Sequence, residues 1–96
     1  TDDMLVVRGV NVFPSAVENV IRGFPEVLEY RLTVKREDNL DVVSIEIEDR
    51  RSAPERIAQE LHVRLGLRID VTNVSIGTLP RFEGKARRVI DNRKKF

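Results

Sequence analysis

A chain of 96 residues, 41% hydrophobic and 34% charged, makes one globular domain and has no room for a second. With no cysteine and one histidine it has no disulfide framework, no thiolate nucleophile and no ligand set for a Cys- or His-rich metal centre. No apolar run approaches the roughly 18 residues of a membrane-spanning helix, so neither a membrane nor a metal is an expected partner. No initiator methionine and no leader are present, so the chain is expected to be a cytoplasmic piece of a longer protein. The net charge of +1 hides an asymmetry. Residues 81–96 hold seven basic against two acidic side chains, and the first 80 hold ten against fourteen. An acidic body with a basic end suggests that the end meets an anion.

Met4 to Phe13 is two β-branched runs broken at Arg8-Gly9, the pattern of a small hairpin. A helix follows, with Ser15 and Glu18 spaced as a capping box, Val17, Val20, Ile21 and Phe24 on one face, and Gly23-Pro25 as its end. From Leu28 to Lys35, Leu28, Tyr30, Leu32 and Val34 alternate with polar residues, as a half-buried strand requires. Arg36-Glu37-Asp38-Asn39 connects it to a second alternating strand through Val43, Ile45 and Ile47, with Asn39 suited to a left-handed turn position. Ser52 and Glu55 form a second capping box ahead of a helix whose Ile57, Ala58, Leu61 and Leu65 share a face and which Gly66 closes. A third strand runs through Ile69 and Val71, with Val74 and Ile76 out of step. A loop from Thr78 to Lys85 then leads to a short helix from Ala86 to Arg93. The expected architecture is two-layer α+β: an antiparallel three-stranded sheet covered by two helices, with an N-terminal β-hairpin and a short C-terminal helix.

Among chemistry-bearing residues, Lys85 stands out: it follows Gly84 and precedes the expected helix, whose amino end favours anions. It is not a Walker A lysine, because Leu79 and Ala86 stand where that motif needs glycine and Ser or Thr. Asp2 and Asp3 read as a solvated terminus, His62 as surface, and Phe13, Phe24 and Tyr30 as core. Asn73-Val74-Ser75 matches a glycosylation sequon that has no meaning in a cytoplasmic domain. Phe82 beside Arg81 could stack on a base, but the chain lacks the interleaved aromatics of a single-strand binder, so no nucleic acid is expected.

Two stretches, Thr1 to Ser15 and Thr78 to Asp91, resemble the two signature segments of the small C-terminal domain of phenylacetate-coenzyme A ligases, members of the adenylate-forming superfamily. The resemblance spans the whole chain and implies one lid domain, residues 1–96, that moves against a large N-terminal domain. The family's Gly-Arg pair ahead of the first segment is absent, so the chain is expected to start at the domain boundary. By the resemblance Asp2, with Asp3 beside it, is the hinge within residues 1–3. Arg8 and Gly9 sit at the coenzyme A channel in the thioester-forming state, Lys85 is the adenylation lysine, and Arg81 and Gly84 support its loop. Phe82-Glu83 replaces a frequent Ser or Thr, and Glu83 agrees with the phenylacetate branch.

The implied reaction converts phenylacetate, ATP and coenzyme A into phenylacetyl-CoA, AMP and diphosphate. Magnesium ligands, most ATP contacts and the acid pocket would lie on the large domain, so the fragment is expected to be inactive alone. An isolated lid could also form an oligomer through the apolar surface that domain covers. The competing expectation is a non-catalytic α+β module that senses a ligand or binds nucleic acid through its basic end.

Overall fold

The computed structural model describes residues 4–81 and 88–93. The N-terminal hairpin is present: β1 (Leu5–Val7) pairs antiparallel with β2 (Val10–Val12), and the turn residues Arg8 and Gly9 have φ of 52° and 77°. Two successive left-handed residues give the turn twist that matches the twist of the strands, and glycine takes one of them without strain. The chain enters α1 (Pro14–Arg22) with Phe13 as N-cap and Pro14 in the first turn, so Ser15 falls inside the helix instead of at its head.

The central element is the long antiparallel pair of β3 (Val27–Glu37) and β4 (Leu40–Asp49). Its turn is only Asp38-Asn39, both left-handed with φ of 51° and 64°; Arg36 and Glu37 belong to the ladder. Next, α2 (Pro54–Leu65) ends on left-handed Gly66, whose N–H donates to the His62 carbonyl. Its N-cap is Ala53. The preceding turn is organised by Asp49, whose carboxylate accepts from the N–H groups of Arg51 (3.1 Å) and Ala53 (2.9 Å), in place of the expected Ser52 cap.

The last two strands depart from expectation. Strand β5 (Asp70–Asn73) lies parallel to β4, because α2 carries the chain back along β4 before it re-enters the sheet. Residues 88–93, expected in a helix, contain β6 (Val89–Asp91), parallel to β3 in the register Leu32–Val89. An open β3 edge offers ladder partners to Val89 and Ile90, and β-branched residues favour a strand. The fold is α+β with a four-stranded mixed sheet ordered β5-β4-β3-β6.

The helices cover one face of the sheet. Val17, Val20 and Ile21 of α1 and Ile57 and Leu61 of α2 pack with Tyr30, Leu32, Val34, Val43, Ile45 and Ile47. Phe24 flanks this core, 5.1 Å from the Arg56 guanidinium, whereas Phe13 and Leu28 are exposed, against expectation. A register shift between Val27 and Glu29 is the cause for Leu28: it breaks the alternation, leaving Leu28 outside and burying Glu29. Leu32→Ala, at a site with no solvent exposure, should cost about 2–5 kcal/mol in urea unfolding, and Leu40→Ala, half-exposed at the hairpin end, less than about 0.5 kcal/mol.

Candidate functional site

Of the residues singled out by sequence, Arg8, Gly9 and Arg81 are described, while Asp2, Asp3, Gly84 and Lys85 lie outside the described residues. The stretch from 82 to 87 that carries Lys85 is bounded by Arg81 and Arg88, and each bounding arginine sits on a buried carboxylate.

Arg81 grips Glu48 of β4 with both terminal nitrogens, Nη1 to Oε2 at 3.0 Å and Nη2 to Oε1 at 2.8 Å. The same carboxylate accepts from the N–H of Gly77 (2.9 Å) and of Leu79 (2.7 Å), drawing the connecting loop over the end of the sheet and burying Leu79. Strand alternation put Glu48 on the solvated side; the loop crossing it removes all of its exposure. The Arg81 hydrogen bonds, helped by the two backbone donors, outweigh burial and lower the Glu48 pKa from its ordinary 4.5 to about 2.

Arg88 sits on β3 and α1. Its Nε donates to Glu29 Oε1 at 2.6 Å, its Nη2 reaches Oε2 at 3.4 Å, and its Nη1 reaches Glu18 Oε1 at 3.5 Å. The guanidinium carbon lies 5.6 Å from the centre of the Tyr30 ring, and the Tyr30 hydroxyl donates to the same Glu18 oxygen at 3.3 Å. Burial, reinforced by the Glu18 charge, pushes the Tyr30 pKa up, so the phenol remains a donor. Glu29 and Glu48 are direct cross-strand partners in the β3–β4 ladder.

The hairpin is fastened at the other end of β4. Arg8 Nε donates to the Asp41 carbonyl at 3.1 Å, and Arg93 Nη1 reaches both the Val6 carbonyl (3.2 Å) and Asp41 Oδ2 (3.0 Å). Asp91 holds that guanidinium through two further bonds of 2.9 and 2.8 Å. At the tip Arg8 and Gly9 are exposed, a Cβ on Gly9 would meet nothing within 4 Å, and Met4, Val6, Val10 and Phe13 add exposed apolar surface. The structure therefore does not bring Arg8 and Gly9 together with Arg81. Their attachment points, Asp41 and Glu48, are separated by most of β4, roughly 23 Å of extended chain.

The anion that the basic end meets is, for its described arginines, the domain's own acid: Arg81, Arg88 and Arg93 all face carboxylates of this chain. Glu18, Glu29 and Glu48 were missed as organising residues; the opposite charge of the body and the final segment was the available signal. Among the described residues no group of three or more His, Cys, Asp or Glu side chains could hold a metal ion, and no helix is long and apolar enough to cross a membrane.

Comparison with known proteins gives a consistent picture. The family model for the AMP-binding enzyme C-terminal domain matches residues 9–93. A phenylacetate-coenzyme A ligase from Thermus thermophilus is 38% identical over 98% of this chain and 27% of its own length. Among solved structures, a domain of phenylacetate-coenzyme A ligase from Bacteroides vulgatus superposes with a TM-score of 0.84 at 28% identity, covering 99% of this chain and 97% of that one. A 2-hydroxyisobutyryl-CoA ligase, in complex with 2-HIB-AMP and CoA in the thioesterification state, gives a TM-score of 0.84 at 28% identity over 97% of this chain and 22% of that chain. The chain thus spans about a quarter of the length of the curated relatives it matches.

The low pKa of Glu48, with that of Asp49 lowered by the Arg56 hydrogen bonds, predicts the acid limit of stability. A carboxylate with a folded pKa below its unfolded one stabilises the fold above the unfolded value and loses that contribution as pH falls. The thermal midpoint should therefore drop as pH is lowered from about 4.5 towards about 2, and Glu48→Gln should flatten this slope while lowering the midpoint at neutral pH.

Proposed function

The chain belongs to the AMP-binding enzyme C-terminal domain family, and from that premise we propose that it is the mobile lid of an ATP-dependent acid-coenzyme A ligase of the phenylacetate type. In the first half-reaction the acid's carboxylate attacks the α-phosphate of ATP, giving an acyl-adenylate and diphosphate. In the second, the coenzyme A thiol attacks the acyl carbon and AMP leaves. ATP, coenzyme A and the acid are substrates, and a large N-terminal domain supplies their main pockets and the Mg2+ ligands.

Lys85 acts in the first half. Its ammonium contacts the attacking carboxylate and the α-phosphate together, orienting the nucleophile and offsetting charge that grows in the transition state. The Arg8-Gly9 turn acts in the second, presenting a surface without a side chain at Gly9 to the incoming thiol arm. The observation that supports this reading, beside the family match, is that the hairpin and Arg81, four positions before Lys85 in the sequence, are fastened at opposite ends of one strand, β4. One rigid lid cannot offer both ends to the same pocket, so a rotation about Asp2, with Asp3 beside it, exchanges them. The binding-module alternative loses its motive where Arg81, Arg88 and Arg93 are already occupied internally.

In the full-length enzyme, Lys85→Ala should lower acyl-adenylate formation by on the order of 10²–10³ and leave thioester formation from supplied acyl-adenylate far less affected. Phenylacetate-dependent AMP release in wild type and variant is the measurement; equal loss in both halves would remove the assigned role. Asp2→Pro should slow the exchange between half-reactions by fixing φ at the hinge, read as a lowered overall rate with at least one half-reaction intact. The isolated 96-residue chain should form no AMP from any acid.

A further inference from the structure

We propose that Arg93 and Asp41 are positioning residues for thioester formation, holding the Arg8-Gly9 hairpin at the angle at which it meets coenzyme A. This rests on the lid reading of the hairpin and adds to it two residues from outside the hairpin, one in β4 and one just past β6.

Two strands of three residues each are not stable in water on their own. The inner side chains Leu5, Val7 and Val12 are buried and join the core, so apolar packing keeps the hairpin on the body. That attraction has no direction, and it leaves the angle of the ribbon to polar contacts. The Val7–Val10 rung closes the two-residue turn, so the next rung, Val6–Asn11, exchanges no hydrogen bonds and the Val6 carbonyl points out of the ladder. Arg93 Nη1 donates one hydrogen to that carbonyl at 3.2 Å and the other to Asp41 Oδ2 at 3.0 Å. Arg8, in the turn itself, donates from Nε to the carbonyl of the same Asp41 at 3.1 Å. First strand and turn are therefore both referred to one residue of β4.

Both supports of this bridge are themselves oriented. Asp91 takes Nε and Nη2 of Arg93 in a fork of 2.9 and 2.8 Å, and the Asn92 N–H donates to the Val34 carbonyl at 2.7 Å, fixing the backbone just before Arg93 to β3. The other carboxylate oxygen of Asp41 accepts from Arg36 Nε at 3.1 Å. Ion pairs that keep contact with solvent, as Arg93 and Asp41 do at 18% and 12% side-chain exposure, add little net stability. A planar guanidinium held on several acceptors does fix direction. The bridge therefore sets the angle of a hairpin that packing already retains. A misplacement of about 1 Å at a reacting centre can cost about 10²-fold in rate, and the half-reaction exposed to that cost is the one the hairpin serves.

The test uses the full-length enzyme with Arg93→Met, Asp41→Ala, their combination, Arg93→Lys and Gly9→Leu. Thioester formation is read as AMP release from synthetic acyl-adenylate at varied coenzyme A, and adenylation as acid-dependent exchange of labelled diphosphate into ATP. Arg93→Met should lower kcat/KM for coenzyme A by about 10–100-fold and leave exchange, with its KM for ATP and acid, within about twofold of wild type. Asp41→Ala, which spares the Arg93–Val6 bond, should lose less, and the combination should be no worse than Arg93→Met, because both break one bridge. Arg93→Lys, keeping the charge but losing the fork, should fall between wild type and Arg93→Met. Should Arg93→Met fail to fold, Asp41→Ala, which leaves the Arg93–Asp91 fork intact, carries the test. Equal losses in both halves from a folded variant, additive losses or unchanged thioester formation would each overturn the positioning role. Gly9→Leu puts a side chain on the presented surface and should by itself lower thioester formation. Loss in Gly9→Leu with the Arg93 and Asp41 variants intact would overturn the positioning role and leave the lid reading standing. Thioester formation intact in Gly9→Leu would overturn the hairpin's part in the lid reading itself.

Discussion

Like charge on one buried rung of the sheet is the constraint around which the second half of this domain is organised. Glu29 and Glu48 face each other, and neither has the solvent that would screen it. Breaking a buried ion pair by removing one partner costs about 3–5 kcal/mol, a large part of a small domain's stability. The chain cannot leave the rung uncompensated, and the compensation comes from late in the sequence. Arg81 arrives after the loop has turned at Gly77, and Arg88 arrives at the start of β6. The route of residues 74–81 over the sheet and the docking of β6 on β3 both follow from that need.

The same device recurs where β4 leads into α2. Asp49 is buried, accepts from two backbone N–H groups and binds the Arg56 guanidinium at 2.6 Å, while Arg56 also reaches Glu26 and the Phe24 ring. A carboxylate at the end of a strand thus does the work usually left to the cap of the following helix. Strand β4 presents acids at both ends, Asp41 to the hairpin and Glu48 and Asp49 to the later loops. It acts as the stiff beam to which these connections are fastened.

The sequence was most legible where periodicity and turn chemistry agree. The Arg8-Gly9 hairpin, the β3–β4 pair, both helices and the Gly66 stop follow from local patterns, because adjacent elements joined by short turns leave few alternatives. It was least legible where a residue's role depends on chain arriving from far away. Glu48 reads as solvated until Gly77, Leu79 and Arg81 cross it, and Leu28 reads as core until the register shift turns it out. Val89 and Ile90 read as helix because nothing local announces the open edge of β3. The candidate site divided likewise. Arg81 stood out beside Lys85 in the sequence, but Glu48 and Glu29 did not, because the arginines that pair with them, Arg81 and Arg88, lie 33 and 59 positions away.

That sequence distance bears on how the chain behaves while it is being made. At a synthesis rate of about 5–20 residues per second, the 59 positions between Glu29 and Arg88 take roughly 3–12 s, whereas a hairpin such as β3–β4 closes in microseconds. For those seconds β3 has one edge bare, the edge on which β6 will later pair with Leu32 to Val34. A bare strand of this length invites pairing with another nascent chain. An acidic side chain near the start of an edge strand is one of the ordinary guards against such pairing, and Glu29 occupies that place in β3.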